Sequence, residues 1–288
     1  MSTKLTPVTG PFPRTTIGGL SVSRMVMGTN NIMGGSHRTM ARDLHIKEIN
    51  HHAESVAAIV EAYLASGVDT IVGRMVEWDF AIDGIRLAEQ RTGKKVNVIE
   101  LAVFDVSDTA EGRKDAAAMI KLCKDRGIDI VLPLHFIVEK LVDKGREKIH
   151  RIEDYLYMIR DNGMIPGLSA HMPEIITYAD GNGYDVETYI QIYNGIGFLM
   201  QVETDWVMHV IQKAKKPVMT IKPLAAGRLL PVVGLAFVWS TIRDQDMVTV
   251  GTTTPDEARE VIDISLSLLE RRHPDNPLQR TRSKASLE

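Results

Sequence analysis

Eight short, almost continuously apolar runs recur along the chain, and the stretches between them carry apolar residues at helical spacing. The runs are residues 24–28, 68–72, 96–103, 128–135, 164–169, 186–193, 217–222 and 247–251. Helical patterns such as 53–66, 110–126, 152–162 and 256–269 separate them, the last introduced by Thr254-Pro255 as cap and first helical residue. Strands apolar on both faces, alternating with helices, predict a parallel sheet covered on each side. Before the first run, Arg14 to Ile17 and Ser21 to Arg24 alternate in strand fashion around Gly18-Gly19, which predicts a short hairpin.

Connections are mostly short, and no linker or composition shift divides the interior. A single α/β domain over residues 1–288 follows, a closed (β/α)8 TIM barrel with a short N-terminal β-hairpin and a polar tail over 273–288. The chain's 288 residues, 44% hydrophobic, suffice for one large core. A net charge of -3 and the lack of a basic stripe interleaved with aromatics argue against nucleic acid as a partner. No early apolar run has the length of a signal or membrane-spanning segment, so a cytoplasmic protein with a small-molecule substrate and no membrane partner is expected. The single Cys123 lies in a helical pattern and reads as an inert, buried thiol.

Chemistry in such barrels gathers at the C-terminal strand ends. Asp69, Glu100, His135, His171, Gln191 and Lys222 all fall at or near predicted ends. Carboxylates, imidazoles and an amine there form an acid/base set, because burial and neighbouring charge spread their pKa values. Each has a structural alternative: Asp69 as ion-pair partner of Lys222 or Arg74, His135 as a core histidine, and Glu100 turned from the lumen by a one-residue change of register. Asp69, Glu100, His135 and His171 also have the ligand types of a divalent metal site, although no pair has tight ligand spacing. The last two strands run into Gly227-Arg228 and into Gly251-Thr252-Thr253 before a helix opens, an arrangement that offers hydroxyls, a cation and backbone N–H groups to an anion. The loop with Asn30, Asn31, His37 and Arg38 is polar enough to close over a ligand.

The hairpin, Met27-Gly28-Thr29, Val68-Asp69-Thr70, Leu134-His135, Gly167-Leu168-Ser169, Lys222-Pro223-Leu224 with Gly227, and Val250-Gly251 occur in aldo-keto reductase order. The chain resembles that superfamily over nearly its full length. The resemblance implies catalytic roles for Asp69 and His135 and cofactor contacts from Ser169, Gln191, Lys222, Gly227, Arg228, Gly251, Thr252 and Thr253 toward NAD(P). It also marks a divergent member. Arg74, Met75 and Val76 stand where the family has its catalytic Tyr, and Val98 to Leu101 stand where it has its Lys.

Three functions follow as expectations. One is an oxidoreductase linked to NAD(P), NADP included, acting on a small polar carbonyl or sugar-like substrate. Another is a non-redox lyase, isomerase or hydrolase, metal-assisted in one form. The third is a ligand-binding barrel without catalysis.

Overall fold

A computed structural model describes residues 10–276; the expected tail beyond 276 lies outside the described residues. Eight parallel strands form the barrel wall: β1 (Met25–Gly28), β2 (Thr70–Gly73), β3 (Asn97–Ala102), β4 (Ile130–Pro133), β5 (Ile165–Pro166 continued by Leu168–Ala170), β6 (Tyr189–Ile192), β7 (Val218–Ile221) and β8 (Met247–Gly251). Each pairs in parallel with the next, and β8 pairs with β1. The two pieces of β5 close the ring, the first bonding to β4 and the second to β6.

Alternation along each strand separates two cores. Val26, Val72, Ile99, Ile130, Leu132, Ile190, Met219 and Met247 fill the lumen, while Met27, Ile71, Val98, Val131, Tyr189 and Val250 face the surrounding helices. The predicted hairpin is present as Arg14–Ile17 and Leu20–Ser23. Its two-residue turn needs positive φ at both positions, and Gly18 and Gly19 supply 55° and 86°. Ile17 and Val22 join the lumen cluster, and Thr15 Oγ1 donates to the Gln245 carbonyl just before β8, so the hairpin plugs the N-terminal end. The opposite end is left open for a site.

Two local features depart from the predicted pattern. Residues 134–135 no longer belong to β4, because a helix opens there at His135 (His135–Lys140). A second small hairpin, Val142–Asp143 with Lys148–Ile149, then follows; its strands are too short to leave a period in the sequence. No helix among the described residues is long and apolar enough to cross a membrane.

Candidate active site at the open end of the barrel

A cavity of about 360 Å³ opens at the C-terminal strand ends. Its inner end is the lumen, walled by Val72, Leu101, Ile221 and Thr249. Its outer end lies against Thr252, Thr253, Glu257 and Glu260. Lys222 lies where β7 runs out, between these ends.

The backbone after β7 is strained. Lys222, Ala225 and Ala226 hold φ of 60°, 48° and 55°, a region that costs non-glycine residues roughly 1–2 kcal/mol each. Such strain persists only where surrounding contacts enforce it, and here it delivers the Lys222 amine to the cavity. Gly227 continues the turn at φ 76°, and a Cβ there would meet Arg38 Nη2 at 2.9 Å. Glycine therefore lets Arg38 lie across the loop, with Nη2 donating to the Gly227 carbonyl at 2.7 Å.

The loop after β1 forms the facing wall. Asn31 Nδ2 donates to the Gly251 carbonyl at 2.9 Å, and Asn50 Nδ2 to the Thr253 carbonyl at 3.0 Å, tying this segment to the end of β8. His37 Nε2 lies 3.0 Å from Lys222 Nζ and 3.4 Å from Asn30 Nδ2. Both neighbours are donors, so Nε2 is the acceptor and the ring proton belongs on Nδ1. Burial and the Lys222 charge hold His37 below its ordinary value, consistent with a neutral ring. Burial alone pulls the Lys222 amine down to about 8. Among the described residues no carboxylate comes within ion-pair distance of it.

His135 and His171 stack, with ring centroids 3.7 Å apart and planes 19° from parallel. Glu139 Oε1 accepts from the His171 backbone N–H at 2.8 Å and secures that corner. Burial lowers both imidazoles, and the charge of Lys222 lowers both further. For His171 the sum, with His135 and His37 adding to it, reaches about 3. Ser169 lies in register with Ile190 and so faces the lumen.

Other predicted residues lie elsewhere. Asp69 precedes β2, so it stands at the plugged end of the barrel. There it pairs with Arg14 at 2.8 Å and accepts from the Ser23 backbone N–H. Glu100 lies between the lumen residues Ile99 and Leu101 and hence points out of the lumen, where its carboxylate accepts from the backbone N–H groups of Met75 and Val76 at 2.9–3.1 Å. Burial pushes its pKa up to about 8 against those hydrogen bonds. Gln191 also faces outward, its Nε2 donating to the carbonyls of His171 and Ile192. Arg228 stacks on Phe198, 4.0 Å from Cζ to ring centroid, and donates to the Ala225 carbonyl, so it does not line the cavity. The four residues considered as metal ligands are thus dispersed: only the two imidazoles meet, and among the described residues no three His, Cys, Asp or Glu converge to hold an ion.

Sequence reasoning missed Arg42, Thr249, Glu257 and Glu260. Arg42 Nη2 donates to Thr253 Oγ1 at 3.3 Å, supplying the cation expected of Arg228. Thr249 is 7% exposed, and its Oγ1 is buried without a hydrogen-bond partner on the cavity wall. Thr254-x-x-Glu257 is a capping-box pattern visible in the sequence. In the structure Thr254 Oγ1 accepts from the Glu257 N–H at 3.2 Å, and Glu257 Oε2 accepts from the Thr253 N–H at 2.6 Å.

No family model matches the sequence, and no curated protein does. Solved structures do match the fold. A Pseudomonas aeruginosa protein assigned as an aldo-keto reductase superposes with a TM-score of 0.61 at 16% identity, covering 89% of this chain and 95% of that one. A thermostable aldo-keto reductase solved with the inhibitor epalrestat gives 0.59 at 13% identity, covering 95% and 97%. An aldo/keto reductase from Klebsiella pneumoniae, solved with NADP and acetate, gives 0.52 at 15% identity, covering 94% and 98%. The chain has the barrel fold that these aldo-keto reductases share.

Proposed function

We propose that this barrel is a nicotinamide-dinucleotide-linked oxidoreductase for a small polar carbonyl or sugar-like compound, with Lys222 as the proton donor. One observation carries the reading: a single cavity joins an apolar lumen to the loops at Gly227 and Gly251–Thr253, with the Lys222 amine between them.

The residues fit such a cofactor. Arg38 and Arg42 supply positive charge on the cavity wall, and the loop after β7 brings Gly227 close. When bound, the dinucleotide supplies a transferable hydride. The chain's own residues supply the rest. Val72, Leu101 and Ile221 exclude water from the reacting end. The Lys222 ammonium, acidified by burial, donates a proton to the developing alkoxide; a group with a pKa near 8 suits this work better than an ordinary lysine. His37 Nε2 orients that ammonium. The NADP in the Klebsiella pneumoniae relative supports the cofactor class.

The desolvated amine, with no carboxylate at ion-pair distance among the described residues, also favours a second reading, a lyase or isomerase in which Lys222 removes a proton beside a carbonyl. Titration of the full chain with NADH, followed by nicotinamide fluorescence, separates the two. Saturable one-to-one binding supports the first. Turnover of a keto–aldose pair without any NADH binding supports the second.

A further inference from the structure

We propose that the outer end of the cavity accepts an adenosine ribose with a free 2′-hydroxyl and rejects a 2′-phosphate, so that NAD(H) is the dinucleotide and Glu257 and Glu260 are the selecting residues. This rests on the reading of the cavity as a dinucleotide site. A ligand that reacts in the lumen beside Lys222 must extend its far end toward Thr252, Thr253, Glu257 and Glu260. Thr249, 7% exposed and with its Oγ1 buried without a hydrogen-bond partner, lines the inner wall of the same cavity.

The helix over Pro255–Leu269 opens at this outer end. A free helix N-terminus there would welcome a phosphate. This one is already satisfied from within, because the Glu257 carboxylate accepts the Thr253 N–H at 2.6 Å and Thr254 Oγ1 accepts the Glu257 N–H. Asp256 adds further negative charge in the first turn. Glu260 stands on the same helix and lines the same end. Burial, and then the Glu257 charge, raise its pKa, so the two carboxylates already oppose each other.

Neither Glu257 nor Glu260 has a cation within ion-pair distance among the described residues. The nearby Arg259 is engaged by Asp256 at 2.7 Å. Arg38 is engaged by the Gly227 carbonyl, and Arg42 reaches the outer end only as far as Thr253 Oγ1, where it is a donor to that hydroxyl and not an ion-pair partner of either carboxylate. These two cations match the two charges of a pyrophosphate. A third phosphate, carrying roughly −1.5 to −2 at neutral pH, would meet carboxylates instead. A ribose hydroxyl, by contrast, can donate to a carboxylate. Dinucleotide-binding βαβ folds discriminate on the same basis, with an acidic side chain for the 2′-hydroxyl and an arginine for the 2′-phosphate.

The test is calorimetric titration of the full chain with NADH and NADPH, repeated on Glu257→Gln/Glu260→Gln. Glutamine retains an oxygen for the Thr253 N–H, and a thermal melt of the variant checks that the cap survives. NADH is expected to bind about tenfold or more tightly than NADPH, and the double variant to narrow that gap about tenfold by gaining NADPH affinity. Equal or tighter NADPH binding by the unmodified chain overturns the selectivity while leaving the dinucleotide reading intact, and so does an unchanged gap in the variant. Binding of neither nucleotide overturns both.

Discussion

Lys222 Nζ lies 3.0 Å from His37 Nε2, a bond that joins the end of β7 to the loop after β1 across the mouth of the cavity. An ammonium held by a neutral imidazole, with no carboxylate at ion-pair distance among the described residues, keeps an available proton rather than losing it to an ion pair. Desolvation then brings its pKa to about 8. The rate of carbonyl reduction is therefore expected to hold level below pH 8 and to fall above it, as the ammonium is lost. Oxidation of the alcohol, which needs the free amine, should rise over the same range. Profiles of kcat/KM in both directions check this, and parallel profiles would remove Lys222 from the proton-transfer role.

The stacked pair of His135 and His171 makes stability depend on acid. His171 stays neutral in the fold down to about pH 3, whereas an unfolded histidine takes up a proton near pH 6.5. The unfolded state thus binds more protons between these values. The contribution is fully present above pH 6.5 and is lost as pH falls toward 3. His171→Asn loses the stack, worth about 0.5–1.5 kcal/mol, and should be the less stable form at pH 8. Its melting temperature should approach that of the unmodified chain as the solution is acidified. A constant difference across pH would contradict the assignment.

The two carboxylates drawn from the sequence pattern should behave as structural groups. Asp69→Ala breaks a partly exposed pair with Arg14 at the plugged end and is expected to cost about 1 kcal/mol. Glu100→Ala strands two buried backbone N–H groups and is expected to cost about 2–4 kcal/mol. Denaturant titrations measure both costs. Neither change should alter NADH affinity, and a loss of binding in folded Asp69→Ala would show that residue acting on the open end after all.

Arg42 and Arg228 offer a paired comparison. Arg42→Ala removes a cation from the cavity wall and should weaken NADH binding about tenfold to a hundredfold. Arg228→Ala loses its stacking on Phe198 and should leave affinity within about twofold. Calorimetry on both variants decides, and the reverse order would return the anion contact to Arg228.

The strand pattern was legible because each barrel strand is apolar on both faces, and the Gly18-Gly19 turn announced the hairpin. Site residues were harder to place. Val68-Asp69-Thr70 carries no mark of where β2 begins, and a strand confined to Thr70–Gly73 leaves Asp69 at the wrong end. For Glu100 the problem was parity: a run apolar on both faces, such as 96–103, gives no alternation by which to tell lumen from helix layer. Lys222, by contrast, stands at the end of a clear strand, but its strained backbone and its histidine partner 185 positions away in sequence belong to the tertiary structure. Thr254-Pro255 marked the start of the last helix in the sequence, but the Glu257 carboxylate that closes this helix end to phosphate is placed on the cavity wall by the tertiary structure.

Transfer of deuterium from 4-deuterated NADH to the carbonyl carbon of a small polar carbonyl compound tests the central claim most directly, with the unmodified chain and Lys222→Met compared under single-turnover conditions. The unmodified chain should label the alcohol product. Lys222→Met should still bind NADH but label the product about 10²–10⁴-fold more slowly, the usual loss when a positioned proton donor is removed. An unlabelled product, or labelling undiminished in Lys222→Met, would contradict the account.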